Sequence, residues 1–515
     1  MGDGANFYTI DVVFSVLKAT RYAIIAINKR RQSMAYRYGK RFQMKLLPQS
    51  IEEYVTKDDP VRAYDAFVEA LDYNELGIEI NPNKVGNSEY DPKAMLKLFV
   101  YGYSYGVRSS RKLERETYHN LSFMWLMGGL KPDHKTIAEF RRRHKKAIKK
   151  VLKQCARMCM KLNLISGNVL FVDGTKIRAN ASISRTHDKA WYEEQLKEVD
   201  QRIDVLVEQS EALDEKEEEL DSLVIMDKEL GKAERLKRVI EDTLTEFEET
   251  EREKINQTDS DCANMHSIHG NHASYNVQSV VDDEKGLIVN AEAVNDATDI
   301  NQFAQQIEQA HEVLEKPCET ACADAGYANT EELEKVDSKE IEVIVPSQRQ
   351  ALHEGEKPFS KSQFTYDKEQ DCYWCPTGQR LNYIGTDRNN GKKHYRIIKP
   401  ELCHRCEHYG QCTSAKKGRK IVRLALEEVK EKLEAKYEEE DSQEIYARRK
   451  DRVEHPFGHI KRNLKTDAFL MRGREGVGAE TSLLATCFNL ARMISIFGVS
   501  ELIRKLSVLP AMAAG

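Results

Sequence analysis

The chain predicts a mixed α/β fold that is led by a helical region and broken by two insertions. Three observations carry this reading: a stretch before position 163 that looks wholly helical, short apolar strands alternating with a hairpin and helices between 169 and 345, and two compositional breaks. One break is acidic and the other is rich in cysteine. At 515 residues there is room for two or three domains, and 40% hydrophobic with 32% charged residues is the balance of a soluble globular protein. No stretch is apolar enough, for long enough, to span a membrane. Phe7 to Ile27 comes nearest, but Asp11, Lys18 and Arg21 interrupt it and no small-residue cleavage site follows a basic start. Residues 1–33 therefore read as an extension, with Met34 a candidate start. Of eleven cysteines, five lie between Cys372 and Cys412, which argues for a reduced, cytoplasmic setting.

Residues 34–163 are expected to form a helical domain. Asp91-Pro92 and Pro132-Asp133 are helix starts, the first leading into an apolar face of Met95, Leu98, Phe99 and Gly102. Arg111 and Arg115, with the run Arg141, Arg142 and Arg143, are candidate DNA-phosphate ligands, because short helices with clustered guanidinium groups present charge to a backbone. The competing reading is a solvated basic helix face.

Next comes Asn168-Val-Leu-Phe-Val-Asp173-Gly, a strand apolar on both faces that ends in a carboxylate. An ionised Asp173 beside a core is costly unless a metal or a basic group pairs with it; the alternative is a strand-end Asp entering a turn at Gly174. Residues 189–256 follow, with 23 acidic and 11 basic residues, a local charge of −12. The other 61 acidic and 68 basic residues leave the body at +7, which points to a polyanionic partner. Leu196, Val199, Ile203, Leu206, Leu213, Leu220 and Val224, then Leu236, Val239, Ile240, Leu244 and Phe247, keep a three-to-four spacing. This predicts a helical hairpin or coiled coil, either a dimerisation arm or a solvated spacer.

The pattern then turns to strands. Tyr275–Val281 and Leu287–Val294 flank a hairpin turn, Asp299–Leu314 reads as a helix, Thr320 to Asp324 as a second apolar strand ending in an Asp, and Ile341–Val345 as a third. Asp282, Asp283, Asp296 and Asp299 read as turn and helix-start residues. Further on, Glu454 lies in Val453-Glu-His-Pro-Phe-Gly-His-Ile-Lys461-Arg462, close to Arg449 and Lys450. Alone it reads as an ion-paired surface residue. Three carboxylates together are what a ribonuclease H-like site requires to hold two Mg²⁺ or Mn²⁺ ions for phosphoryl transfer.

Val172-Asp173-Gly-Thr-Lys, Tyr275-Asn-Val-Gln, Asp324-Ala-Gly-Tyr and the Glu454 motif, in this order ahead of a C-terminal helix with Asn489, resemble the DDE transposases of bacterial insertion sequences. The likeness is closest to the eleven-eighty-two type and covers roughly Met34 to Gly498. It implies a catalytic, metal-binding triad of Asp173, Asp324 and Glu454 in a ribonuclease H-like domain made of 164–188, 257–346 and 441–500. It also implies DNA ends and target DNA as partners, a homodimer in the active complex, and DNA contacts from Arg449, Lys450, Lys461 and Arg462. One departure stands out. The related signature places a Tyr seven and an Arg four residues before the Glu, whereas here Tyr446 is eight before and Lys450 holds the Arg position. Pro456 further predicts a helix that kinks or begins there. A non-enzymatic DNA-binding protein and a nuclease on the same fold are the rival functions.

The second insertion, 347–440, carries Cys372-Tyr-Trp-Cys375 and Cys403-His-Arg-Cys406. Two such pairs predict a structural Zn²⁺ held by Cys372, Cys375, Cys403 and Cys406, with His404, His408 and Cys412 as alternative ligands. Reduced cysteines packed in a small β-rich insert are the competing reading. The run His266, His269 and His272 reads as a polar loop.

Overall fold

The computed structural model describes residues 50–81, 89–214, 220–250, 252–267, 270–352, 358–388 and 391–509, with backbone alone for 210–214 and 220–227. The segment 1–33, Met34 and His269 lie outside the described residues. Contacts divide the chain into two units, Met1–Glu53 and Tyr54–Gly515. Of the first, residues 50–53 are described, and a 3-10 turn begins at Ile51.

The second unit opens with helices whose starts are chemically marked. α1 (Pro60–Glu69) and α2 (Pro92–Ser104) each have Pro as first residue and an Asp cap, Asp59 accepting from Val61 N–H and Asp91 from Lys93 N–H. α3 (Ser110–His119) and α4 (Leu121–Leu126) follow. α3 approaches α2 so closely that a β-carbon on Gly102 would stand 2.3 Å from Leu113 Cδ2. α5 (His134–Arg143) is capped by Asp133 and leads into α6 (Lys145–Lys161).

β1 (Val169–Arg178) is the centre of the sheet. The acidic segment leaves it as two long helices, α7 (Lys189–Asp214) and α8 (Leu220–Glu249), which share a small core of Tyr192, Val199 and Ile240. Their neck is a two-stranded pairing of Thr186–His187 with Ile255–Asn256. The side chains of Leu213, Leu220 and Val224 lie outside the described residues. β2 (Ala263–Ser267) and β4 (Ile288–Val294) both pair antiparallel with β3 (Gly270–Asp282), which pairs antiparallel with β1. On the other side, β5 (Thr320–Cys322) runs parallel to β1, and β6 (Glu342–Ile344) parallel to β5. Helices α9 (Phe303–Leu314) and α10 (Thr330–Asp337) supply the connections.

A separate five-stranded antiparallel sheet forms the cysteine-rich insert: β7 (Thr365–Asp367), β8 (Cys372–Trp374), β9 (Arg380–Thr386), β10 (Lys393–Ile397) and β11 (Lys420–Arg423). The chain returns through α11 (Glu427–Tyr437) and α12 (Glu440–Gly458). α12 neither begins nor breaks at Pro456: it runs through that residue and ends in a π-helical turn, His459–Asn463. α13 (Arg474–Phe497) is buried along most of its length and packs on α6, α2 and β4, and α14 (Val499–Val508) closes the unit against α1. No single helix among the described residues is long and apolar enough to cross a membrane.

Candidate active site

The register of the sheet creates the site. The last β1–β5 pair is Phe171 with Cys322, so β5 stops two residues short of Asp173, and Asp324 follows in the space beside β1. Asp173 is not the strand-end residue expected, because β1 continues past it to Arg178; Asp324 lies just past the end of β5 beside it, where one cation serves both. Arg449 Nη1 is 3.7 Å from Asp173 and Nη2 is 3.9 Å from Asp324.

Arg449 is aimed by helical phase. Ser442, Tyr446, Arg449, Val453, Pro456 and Phe457 recur at three- and four-residue steps, and most of these are buried on the sheet side of α12. The Arg449 guanidinium lies 5.6 Å from the Tyr446 ring centroid. Its Nε and Nη1 are buried with no hydrogen-bond partner among the described residues. Helical phase separates the two cations near the signature: Arg449 points into the site, whereas Lys450 is exposed. As placed, the Arg449 guanidinium faces the two carboxylates.

Burial pushes the Asp173 carboxyl up to about 7, with Arg449 opposing and Asp324 and Asp299 adding to the rise. Lys461, reaching across to donate to Thr175 Oγ1 at 2.5 Å, is lowered by burial against the favourable charge of Asp173. Lys461 is therefore an interior cation of the site; Arg462 is exposed.

Asp299 is the residue the sequence reading missed. Instead of serving as a helix-start residue, it accepts from Asn276 Nδ2 at 2.7 Å and Gln278 Nε2 at 2.6 Å, and Tyr327 OH holds Gln278 Oε1 at 2.5 Å. Gly174 pairs with Gln278, so strand alternation places Asp299 on the sheet face opposite Asp173 and Thr175. Two glycines make room for these carboxylates. A β-carbon on Gly174 would be 2.6 Å from Asp299 Oδ1, and one on Gly326 would be 2.9 Å from Asp324 Oδ1 and 3.8 Å from Asp299 Oδ2. The available signal was the pair Asn276 and Gln278, two amide side chains on one face of the strand, both almost wholly buried. Asp282, Asp283 and Asp296 do behave as turn or partner residues: Asp282 accepts from Gly167 and Glu284 N–H, Asp283 pairs with Arg448 and Arg452, and Asp296 accepts from Gln302.

Glu454 is exposed, one position past buried Val453 on α12. As placed, no three His, Cys, Asp or Glu side chains among the described residues are close enough together to hold a metal ion. The basic helices divide in a similar way. Arg111 is exposed, and so are Arg115, Arg142 and Arg143 beside Glu116, Glu139 and Glu89. Arg141, half-buried, donates to Tyr103 OH at 3.1 Å and to Arg108 O. A further open cleft of about 740 Å³ has Arg108, Arg185, Lys465 and Arg472 in its walls.

A family model described as "Transposase DDE domain" matches residues 374–494, and one described as "Transposase domain (DUF772)" matches 49–143. The two matches support a DDE transposase of insertion-sequence type. The DDE match takes in Arg449, Glu454 and Lys461 and begins after Asp173 and Asp324, while the other covers α1 to α5. No curated protein matches the chain.

Proposed function

We propose that this transposase cleaves the ends of an insertion sequence and joins the freed 3′-hydroxyl to target DNA, with Asp173 and Asp324 at the centre of the reaction. The observation that carries the reading is the placement of these two carboxylates side by side, one within β1 and one just past β5, around Arg449. The strand order β4-β3-β1-β5-β6, with the first three antiparallel and the last two parallel, supports a ribonuclease H-like domain.

The residues fit a divalent cation. A buried carboxyl raised to about 7 beside a second carboxylate is a site whose repulsion Mg²⁺ or Mn²⁺ would relieve. Asp173 and Asp324 would hold the metal; Glu454 is the third ligand by family pattern, and Asp299 is the third carboxylate that geometry brings near. The chemistry such a cation would supply there is activation of the attacking oxygen and stabilisation of the leaving one. The chain's own part is to orient: Arg449 and Lys461 hold the carboxylates' positions, and exposed Arg111, Arg142, Arg143, Lys450 and Arg462, with the Arg185 and Arg472 cleft, bind the DNA backbone. A homodimer would bring two ends together.

The test compares Asp173→Asn, Asp324→Asn, Asp299→Asn and Glu454→Gln in Mg²⁺-dependent cleavage and strand transfer on end-containing DNA. The first two are expected to abolish both reactions while leaving salt-sensitive DNA binding in place. Asp299→Asn should cost about 10- to 100-fold, the range for a residue that orients a metal ligand. Full activity of Asp173→Asn would sink the reading, and full activity of Glu454→Gln would remove Glu454 from it.

A further inference from the structure

The cysteine-rich sheet has a core too small for its size. Among the described residues its buried apolar cluster consists of Phe364, Tyr373, Leu381, Tyr395, Ile397 and Ile421, with Cys375, Cys403 and Cys412 packed on their edge. Modules with so little buried area are commonly stapled by a disulfide or a metal. All five cysteines here are free thiols.

We infer that Cys375, Cys403, Cys406 and Cys412 form a four-thiolate zinc site that staples this sheet, and that Cys372 is not a ligand. The four thiols line one cavity of about 30 Å³, whose wall also includes Arg419. Three tight turns present them. In Cys375-Pro-Thr-Gly-Gln379 the sulfur accepts the Gln379 N–H at 3.1 Å, and Gly378, at φ +79°, closes the turn with its N–H 2.8 Å from Cys375 O. Backbone N–H donated to sulfur favours the thiolate that a metal requires. Cys403 and Cys406 bracket a second turn, with Cys406 N–H on Cys403 O at 3.1 Å. Cys412 closes a third, its N–H on His408 O at 2.9 Å.

Strand alternation explains the exclusion of Cys372. Tyr373 and Cys375 belong to the core side of the sheet, and Cys372, one residue before Tyr373 in β8, faces the other way and is fully buried there. Close approach at the cavity also depends on Gly418, at φ +72°, where a β-carbon would stand 2.4 Å from Ile397 Cγ2 and 3.3 Å from Cys403 Sγ. As placed, the thiols are wider apart than a bound ion would hold them, so binding draws them into the space between them. Four thiols would release four protons to water and leave the site with two negative charges, which Arg419, donating to Cys412 O at 2.7 Å, is positioned to offset.

The experiment measures zinc per chain in full-length protein purified under reducing conditions, as isolated and after addition of zinc chloride. One zinc per chain is expected in the parent and in Cys372→Ser, and loss of zinc in Cys375→Ser and Cys412→Ser. Because the loss variants can fail to fold, Co²⁺ added to metal-free parent provides a second reading: thiolate charge-transfer bands with tetrahedral d–d absorption are expected. A parent that takes up neither metal overturns the inference, as does zinc lost from Cys372→Ser but kept by Cys412→Ser.

Discussion

Asp173 couples the stability of the site to pH. In metal-free protein, burial raises its carboxyl from the ordinary 3.8 to about 7, so between these values the folded chain holds a proton that the unfolded chain has released. The stability that this proton contributes is fully present below about pH 4 and is lost as pH rises through about 7. Roughly three pKa units set a ceiling of about 4 kcal/mol on the effect. Asp173→Asn keeps the shape and removes the titration, so in urea unfolding with chelator the variant should exceed the parent in stability near pH 8, with the gap closing toward pH 5. A gap that does not change with pH would mean that Asp173 ionises freely. Neighbouring Gly174 shows why side-chain size counts as much as charge here: any β-carbon at this position would collide with the Gln278 and Asp299 side chains.

At the scale of elements, α12 and α13 do the positioning. α12 delivers Tyr446 and Arg449 to the carboxylates, and α13 anchors the helical region to the sheet domain through Glu480. This side chain is wholly buried and takes Arg108 Nη1 at 3.0 Å, as well as the N–H groups of Leu470 and Met471 at 2.9 and 3.0 Å. Breaking such a pair leaves a charge stranded in the interior. Arg108→Ala should therefore cost about 3–5 kcal/mol in denaturant unfolding, and adding Glu480→Gln should recover part of it. A loss below about 1 kcal/mol would show that solvent reaches Glu480.

The whole molecule is divided by charge. The α7–α8 segment carries −12 and the rest +7, so the formal −5 of the chain conceals a basic body. Binding to DNA through that body should weaken steeply with salt, by on the order of 10³-fold between about 50 and 200 mM for six phosphate contacts. Arg111→Ala and Arg143→Ala, at exposed positions, should each lower the slope of log K against log salt by about one. Arg141→Ala should mainly reduce stability, because its guanidinium is bound to Tyr103 and Arg108. An equal loss of slope in all three variants would return Arg141 to the DNA-facing surface.

Local rules were enough to read most elements from the chain. Asp91-Pro92 and Asp133 cap the helices they were expected to start, and the Asp282 to Gly286 turn joins the two strands that flank it, because capping and turn geometry depend on a few adjacent residues. The order Asp173, Asp324 and Glu454 was equally legible as a family pattern. Proximity was not. Strand register decides that Asp324 lands beside Asp173, and strand alternation brings Asp299 to Gly174 and turns Cys372 away from Cys375. Helical phase sends Arg449 inward and leaves Lys450 and Glu454 exposed. The reason is physical: a sequence specifies periodicity and local conformation directly, but which side chains share a site depends on how separate elements pack, and that packing is set by the whole core at once.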